Sequence, residues 1–466
     1  MEKSISVKLT LPVLAQYLMW WCHFMDKQKV LIIGEVYVDM HLDIKQDNEP
    51  VLRLGGIFHA ARAFSALETD FALAYYSPNY LDSEIEEWSL YLLSKGAYKL
   101  GNIDRAPNVM LVNESTEAGD QGYINILKDQ AIYTNTNSLE IIISEVNPTD
   151  VLLFPGRYDL KGIMDVLNTY SGKLHIDIQY DSDDLFKYIK RDISSLILST
   201  SSSIFHNECH GSYSEFFENY KSFTVEKFLV KENRGGSICY DSSTQKLVET
   251  SAYYIPTMHS VGVGDVYNAV FIYDFFRNIK TKMKIAALCA AKYAETLDFK
   301  RFNEDVKNII NNPDDFITLK GIRIGWENRK KINIYMAAPD FPDVNTELLD
   351  NLSASLEYHN FSVRRPIQEN GLATNDLSPP EEIEMYNKDL NLLNECDLLI
   401  AVMLYNDPGT LIELGMFRQS EKPTIVFDPY YNCKNMFFKH TPNYICHTIS
   451  DVIGATYLCV GGEKDE

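Results

Sequence analysis

Short apolar runs that read as strands alternate with helical patterns along most of the chain, and after a break near residue 325 the same alternation starts again. A strand followed by a helix returns the chain to the same end of the sheet. Successive strands therefore lie parallel, and parallel strands need both faces covered. The first series runs through Val30 to Gly34, Val151 to Phe154, Leu174 to Ile178, Ser195 to Leu198 and Phe228 to Val230. Helical patterns follow at Val266 to Arg277 and Lys282 to Glu295. The loop Asn311-Asn312-Pro313-Asp314-Asp315 and the basic segment Arg323 to Lys331 then lead into a fresh strand, Ile332 to Ala338. With 466 residues, more than one ordinary core fills, the reading is α/β with two doubly wound domains. Their expected bounds are 27–325 for the larger and 326–466 for the smaller, after an N-terminal extension at 1–26.

The smaller unit repeats the pattern compactly. Strand Ile332 to Met336 is followed by the small-residue loop Ala337-Ala338-Pro339, helix Val344 to His359 and strand Phe361 to Arg364. A Pro/Glu-rich loop, a helix near Glu381 to Asn394, strand Asp397 to Leu404, the Asp407 loop with its helix, and strand Thr424 to Asp428 come next. Ligands of open sheets bind outside the carboxyl ends of the strands, so Tyr335 and the loops after Ala338 and Leu404 should converge on the site.

Composition excludes some functions. A formal charge of −22 without a basic stripe argues against nucleic acid, although backbone amides in a local pocket can still take an anionic substrate. Eight cysteines without a C-x-x-C pair or a Cys/His cluster read as buried thiols of a reducing, cytoplasmic compartment. Leu9 to Met25 is apolar but broken by Pro12, Gln16 and His23, too short for a membrane span. A packing helix and a true start at Met25 both remain open.

The run Asp407-Pro408-Gly409-Thr410-Leu411-Ile412-Glu413-Leu414-Gly415 sets a carboxylate among aliphatics at a helix start. Asp407 before Pro408 is by itself an ordinary helix cap, and Asp389 by itself a solvated helix residue. Glu413 is different, because an unpaired charge among aliphatics is costly and tends to mark function. Glycosyl transfer through a covalent intermediate needs one carboxylate to attack the anomeric carbon and another acid to manage the leaving base's proton. Asp389, Asp407 and Glu413 together supply both.

Tyr335, Tyr386-Asn387-Lys388-Asp389-Leu390, Cys396-Asp397 and Asp407-x-Gly409-Thr410-x-x-Glu413-x-Gly415 resemble the nucleoside 2-deoxyribosyltransferase family over nearly the whole smaller domain. The resemblance implies a flavodoxin-like or Rossmann-like fold, no cofactor, Glu413 as the nucleophile and Asp389 assisting the base. It further implies that Asp407 and Tyr335 hold the sugar and the nucleophile, with Asn435 as a candidate for the Asn that a neighbouring subunit often contributes in this family. Relatives that hydrolyse nucleoside monophosphates carry a Gly/Arg-rich loop after the first strand. Here it reads Ala337-Ala338-Pro339-Asp340-Phe341, favouring an unphosphorylated nucleoside, while Arg364-Arg365 keeps a nucleotide open.

In the larger domain, His259-Ser260-Val261-Gly262-Val263-Gly264-Asp265 leads into a helix. Such a turn can aim backbone amides at an anion, with an Asp beside it to deprotonate a hydroxyl. Together with Gly34-Glu35-x-x-x-Asp39, Gly55-Gly56 and Arg234-Gly235-Gly236, it resembles the ribokinase-like carbohydrate and nucleoside kinases. That likeness implies Asp265 as base, the amides of Gly262, Val263 and Gly264 as anion hole, Asp39 with Gly55 and Gly56 at the sugar, and ATP and Mg as cofactors. Four positions depart from the family pattern. His259-Ser260 stands for Asp-Thr, His59 for Asn, His210 for the acidic residue linked to magnesium, and Glu232 for the first glycine of the nucleotide-side turn. The last two weaken ATP-Mg binding.

The sequence thus leads to an enzyme that cleaves or exchanges an N-glycosidic bond, joined to a domain that phosphorylates a related ligand or only binds one. The alternative is a defence or toxin effector that hydrolyses NAD or another nucleotide pool, its kinase-like half a docking module. A homo-oligomer is implied by both families.

Overall fold

The computed structural model describes residues 27–42, 49–112, 123–127, 130–178, 184–209, 213–220, 223–276, 278–373 and 377–461. The stretch Leu9 to Met25, His210 and Arg277 lie outside them.

The larger sheet has ten strands, ordered Lys246–Thr250, Ser237–Asp241, Val225–Lys231, Ile193–Ser199, Lys173–Ile178, Asp150–Leu153, Lys29–Glu35, Asp70–Ser77, Ala97–Asp104 and Ile132–Asn135. From Val225–Lys231 to Ala97–Asp104 the neighbours run parallel, with antiparallel pairs at both margins. Its central strands are buried along nearly their whole length because both faces are covered. Val30 and Ile32 join one core, with helices Phe58–Ala66, Val263–Ile272 and Ile279–Ala294, while Leu31 and Ile33 join the other, with Leu139–Val146 and Leu160–Leu167. The chain leaves Lys29–Glu35 toward Asp70–Ser77 and later resumes on the other side at Asp150–Leu153. The crevice between Lys29–Glu35 and Asp150–Leu153 is the switch point where such sheets take ligands.

A second sheet of four short strands, Val51–Leu54, Val38–His41, Val109–Val112 and Tyr123–Asn125, was not expected from the sequence. Its strands are only three or four residues long, and Val51 and Leu52 face solvent. It brings Asp39 and Arg53 against the turn before helix Val263–Ile272.

Three boundaries differ from expectation. That helix begins at Val263, not Val266, and ends at Ile272, because Tyr273 turns extended. The expected loop at 311–315 is a one-residue break at Asn312 between helix Phe299–Asn311 and helix Pro313–Ile317, whose first turn tolerates proline. The basic segment Arg323 to Lys331 is no simple lead-in, since it contains helix Trp326–Arg329 and buries Arg329 completely.

The third sheet is wholly parallel, ordered Ser362–Arg364, Asn333–Ala337, Leu398–Val402, Thr424–Phe427 and Tyr444–Cys446. Numbered along the chain this is 2-1-3-4-5, a doubly wound order with its switch point between Asn333–Ala337 and Leu398–Val402. Helix Ile449–Val460 covers one face beside Glu347–Tyr358, and Pro379–Glu395 and Pro408–Gln419 cover the other. Among the described residues, no helix is long and apolar enough to cross a membrane. All seven described cysteines are free.

Candidate active site

Asp407 starts the helix that carries Glu413. Its Oδ2 accepts from the Thr410 amide at 2.7 Å and from Thr410 Oγ1 at 2.9 Å, with Pro408 in the first turn. Thr410, Leu414 and Phe417 then face the sheet, and Glu413 lies at the border of that stripe. Tyr335 rises from the central strand Asn333–Ala337, packed with Leu399, Ala401 and Leu414, and its hydroxyl donates to Glu413 Oε1 at 2.6 Å. Asp389 comes from helix Pro379–Glu395, where Asn370 Nδ2 donates to its Oδ1 at 2.8 Å.

Burial, opposed by the hydrogen bond from Tyr335 and helped by the nearby Asp389 and Asp407, leaves the Glu413 carboxyl raised to about 7. Burial and the adjacent Glu413 hold the Tyr335 phenol protonated far above its ordinary range, so it remains a donor. At neutral pH this carboxylate is poised between forms rather than fully ionised. The structure therefore brings Tyr335, Asp389, Asp407 and Glu413 together at one switch point.

Two expectations change here. The aliphatics beside Glu413 do not wall it: Leu414 is buried, but Ile412 is 61% exposed and Leu411 also reaches solvent. Residues adjacent in a helix diverge around its axis, so the drying comes from the sheet side and Tyr335. Arg364 and Arg365, which kept a phosphate in play, are both occupied. Arg364 grips Glu369 through two 2.6 Å bonds, and Arg365 holds Asp340 at 2.7 and 2.9 Å and Asp350 at 2.6 Å. Asn435 is exposed and caps helix Met436–His440 through the Phe437 amide at 2.9 Å. Asn370 was missed, because only the packing of the short helix Pro366–Asn370 against Pro379–Glu395 brings its amide to Asp389.

In the larger domain, Asp39 is buried between Arg53, 3.6 Å away, and His59, 3.2 Å away, with Gly55 against its carboxylate and Gly56 beside Tyr37. Despite burial, His59 and Arg53 keep the Asp39 carboxyl below its usual value. His59 continues to Tyr293 Oη at 2.8 Å, and His259 meets Arg53 at 3.3 Å and the Thr296 carbonyl at 3.1 Å. Burial drives His41 and His59 down to about 4 and His259 to about 2, so all three are neutral imidazoles. Gly262, at φ 74°, opens helix Val263–Ile272 with its α-carbon against the His59 ring, where a side chain would overlap. Past Val263 and Gly264, Asp265 is pushed up to about 7 by burial and by Asp177 and Asp39, with Lys231 opposing. Lys231 is itself pinned between Asp177 at 3.1 Å and Asn268 at 3.0 Å, a cluster absent from the sequence reading. Glu35, also missed as a site residue, lies at the switch point and accepts from Tyr133 Oη and the Arg157 amide, both at 3.2 Å.

The residues at Glu232–Gly236 do not fit a nucleotide phosphate. The Glu232, Gly235 and Gly236 amides bond within the turn at 2.8, 3.0 and 3.3 Å, and the Glu232 carboxylate carries Arg323 at 2.7 Å, Arg329 at 2.6 Å and Tyr213 at 2.7 Å.

The smaller sheet with its convergent carboxylates defines a doubly wound α/β domain with a carboxylate cluster at the switch point. Residues 334–443 match the family model for nucleoside 2-deoxyribosyltransferase, and the chain carries a domain of that family there. No curated protein sequence matches the chain. Among solved structures, ribokinase from Giardia lamblia is 13% identical, with 61% of this chain and 99% of that one covered and a TM-score of 0.48. Ribokinase from Thermotoga maritima is 14% identical, covering 61% and 100%, with a TM-score of 0.45. Tetrameric phosphofructokinase-2 from Escherichia coli is 10% identical over 61% and 100%, with a TM-score of 0.46.

Proposed function

We propose that the C-terminal domain cleaves or exchanges the N-glycosidic bond of an unphosphorylated nucleoside through a glycosyl-Glu413 intermediate. The 2.6 Å hydrogen bond from Tyr335 to Glu413 at the switch point is the observation that carries this reading. A buried phenol donor orients one carboxylate oxygen and leaves the other to attack C1′ of the sugar. The bond from C1′ to the base nitrogen breaks as the bond from C1′ to Glu413 forms. The departing base takes up a proton from solvent, guided by the Asp389 carboxylate that Asn370 holds, and water or a second base then releases the sugar from Glu413. Asp407 sets the helix start and adds the negative charge that keeps Glu413 basic.

For the N-terminal domain we favour binding without phosphoryl transfer. Asp265 and the Gly262, Val263 and Gly264 amides form an anion corner, but the turn Glu232–Gly236 is filled by guanidinium groups and no ATP step is assigned. Intact-protein mass spectrometry after brief exposure to deoxynucleosides, nucleotides and NAD tests the first reading. A sugar adduct on wild type that Glu413→Ala lacks supports it, and wild-type turnover by Glu413→Ala overturns it. Base release from NAD alone transfers the assignment to an NAD-consuming effector.

A further inference from the structure

Glu232 closes the last parallel strand of the larger sheet, and it is completely buried, as is Arg329 of the segment between the domains. Burying a carboxylate and guanidinium groups is costly unless the opposite charges are paired and hydrogen-bonded. Here the carboxylate accepts from Arg323 at 2.7 and 3.0 Å, from Arg329 at 2.6 Å and from Tyr213 at 2.7 Å. Arg323 also donates to the Gly235 carbonyl at 2.9 Å and Arg329 to the Ile324 carbonyl at 2.9 Å. Gly235 must lack a side chain, because one would overlap the Arg329 guanidinium. That guanidinium lies 5.3 Å from the ring centroids of both Trp326, which packs into the larger domain's core, and Tyr457, which belongs to the smaller domain's last helix. From the same turn, Arg234 reaches Ser450 of that helix, with bonds of 3.1 Å to its carbonyl and 2.5 Å to its hydroxyl.

We propose that the turn Glu232–Gly236 is an interdomain anchor, which takes up the connector through Arg323 and Arg329 and the last helix through Arg234, so that the two domains open as one body. The N-terminal domain thereby serves as the platform that holds the C-terminal sheet. The anchor does not depend on what Glu413 does, because its readout is the opening of backbone and not turnover.

Hydrogen-exchange mass spectrometry of the full chain across a urea series compares strand Asp150–Leu153 with strand Leu398–Val402. In wild type both are expected to lose protection at one urea concentration. In Arg329→Met, which removes one of the two guanidinium partners of the buried Glu232, Leu398–Val402 is expected to open at lower urea than Asp150–Leu153. Arg234→Ala, a milder change that keeps the buried triad, is expected to separate the two in the same direction by a smaller amount. Calorimetry of wild type with Mg-ATP is expected to show no binding heat. Separate openings in wild type, joint opening in both variants, or Mg-ATP binding that Arg329→Met abolishes would each overturn the anchor.

Discussion

Tyr335 and Glu413 stand 78 positions apart in sequence, and the phenol of one donates to the carboxylate of the other at 2.6 Å across the switch point of a five-stranded parallel sheet. Removing this donor removes the influence that lowers Glu413's proton affinity. Tyr335→Phe is therefore expected to move the ascending limb of the pH–rate profile above its wild-type position near 7. The loss of a hydrogen bond to a charged group predicts roughly 10–100-fold slower glycosyl-enzyme formation at pH 7. Burst kinetics across pH checks both.

Glu413 also predicts a stability cost with a defined sign. Its folded-state value of about 7 exceeds the ordinary 4.5, so between those values the folded protein binds more protons than the unfolded chain. Wild-type stability falls as pH rises through that window. Glu413→Gln lacks this loss, so its melting temperature should exceed that of wild type at pH 8 and converge with it below pH ~4.5. Thermal melts over this range measure the difference.

Asn370 holds Asp389 by a 2.8 Å bond. Asn370→Ala is expected to slow base release about 3–10-fold, the weight of one modest hydrogen bond, with the fold retained. Asp389→Asn should lose far more, and should also lower the pH limb, because a charge that opposes Glu413's ionisation is gone. Turnover of a nucleoside with a good leaving base, compared with a poor one, separates the two roles.

The imidazoles around Asp39 predict acid sensitivity. His59 falls from 6.5 to about 4 in the folded protein, so from pH 6.5 down to 4 the unfolded chain binds more protons and stability is lost on acidification. His59→Gln should reduce the pH slope of stability in that window by about one proton. Urea midpoints between pH 4 and 7 report it.

Gly262→Ala places a side chain against the His59 ring at a positive φ. The expected loss is about 2–4 kcal/mol, the sum of backbone strain and overpacking, read from urea unfolding.

Much of the architecture was legible from pattern. Strand runs such as Val30 to Gly34 and Val151 to Phe154 are apolar at every central position because helices cover both faces, and this signature survives without coordinates. The spacing from Asp407 to Glu413 was equally legible, since a cap and a side chain within two turns keep a local geometry. The four-stranded sheet was not, because strands of three or four residues with exposed Val51 and Leu52 carry too little periodicity.

Local order therefore settles which segments are strands and helices and which carboxylates sit at a helix start, because those depend on neighbours a few residues away. Whether Arg364 and Arg365 were free, that Asn370 reaches Asp389, and that Arg329 is buried on Glu232 were decided only by the fold. Each of these is a pairing of charge or hydrogen bond made through space, and its energy depends on burial that no local pattern encodes.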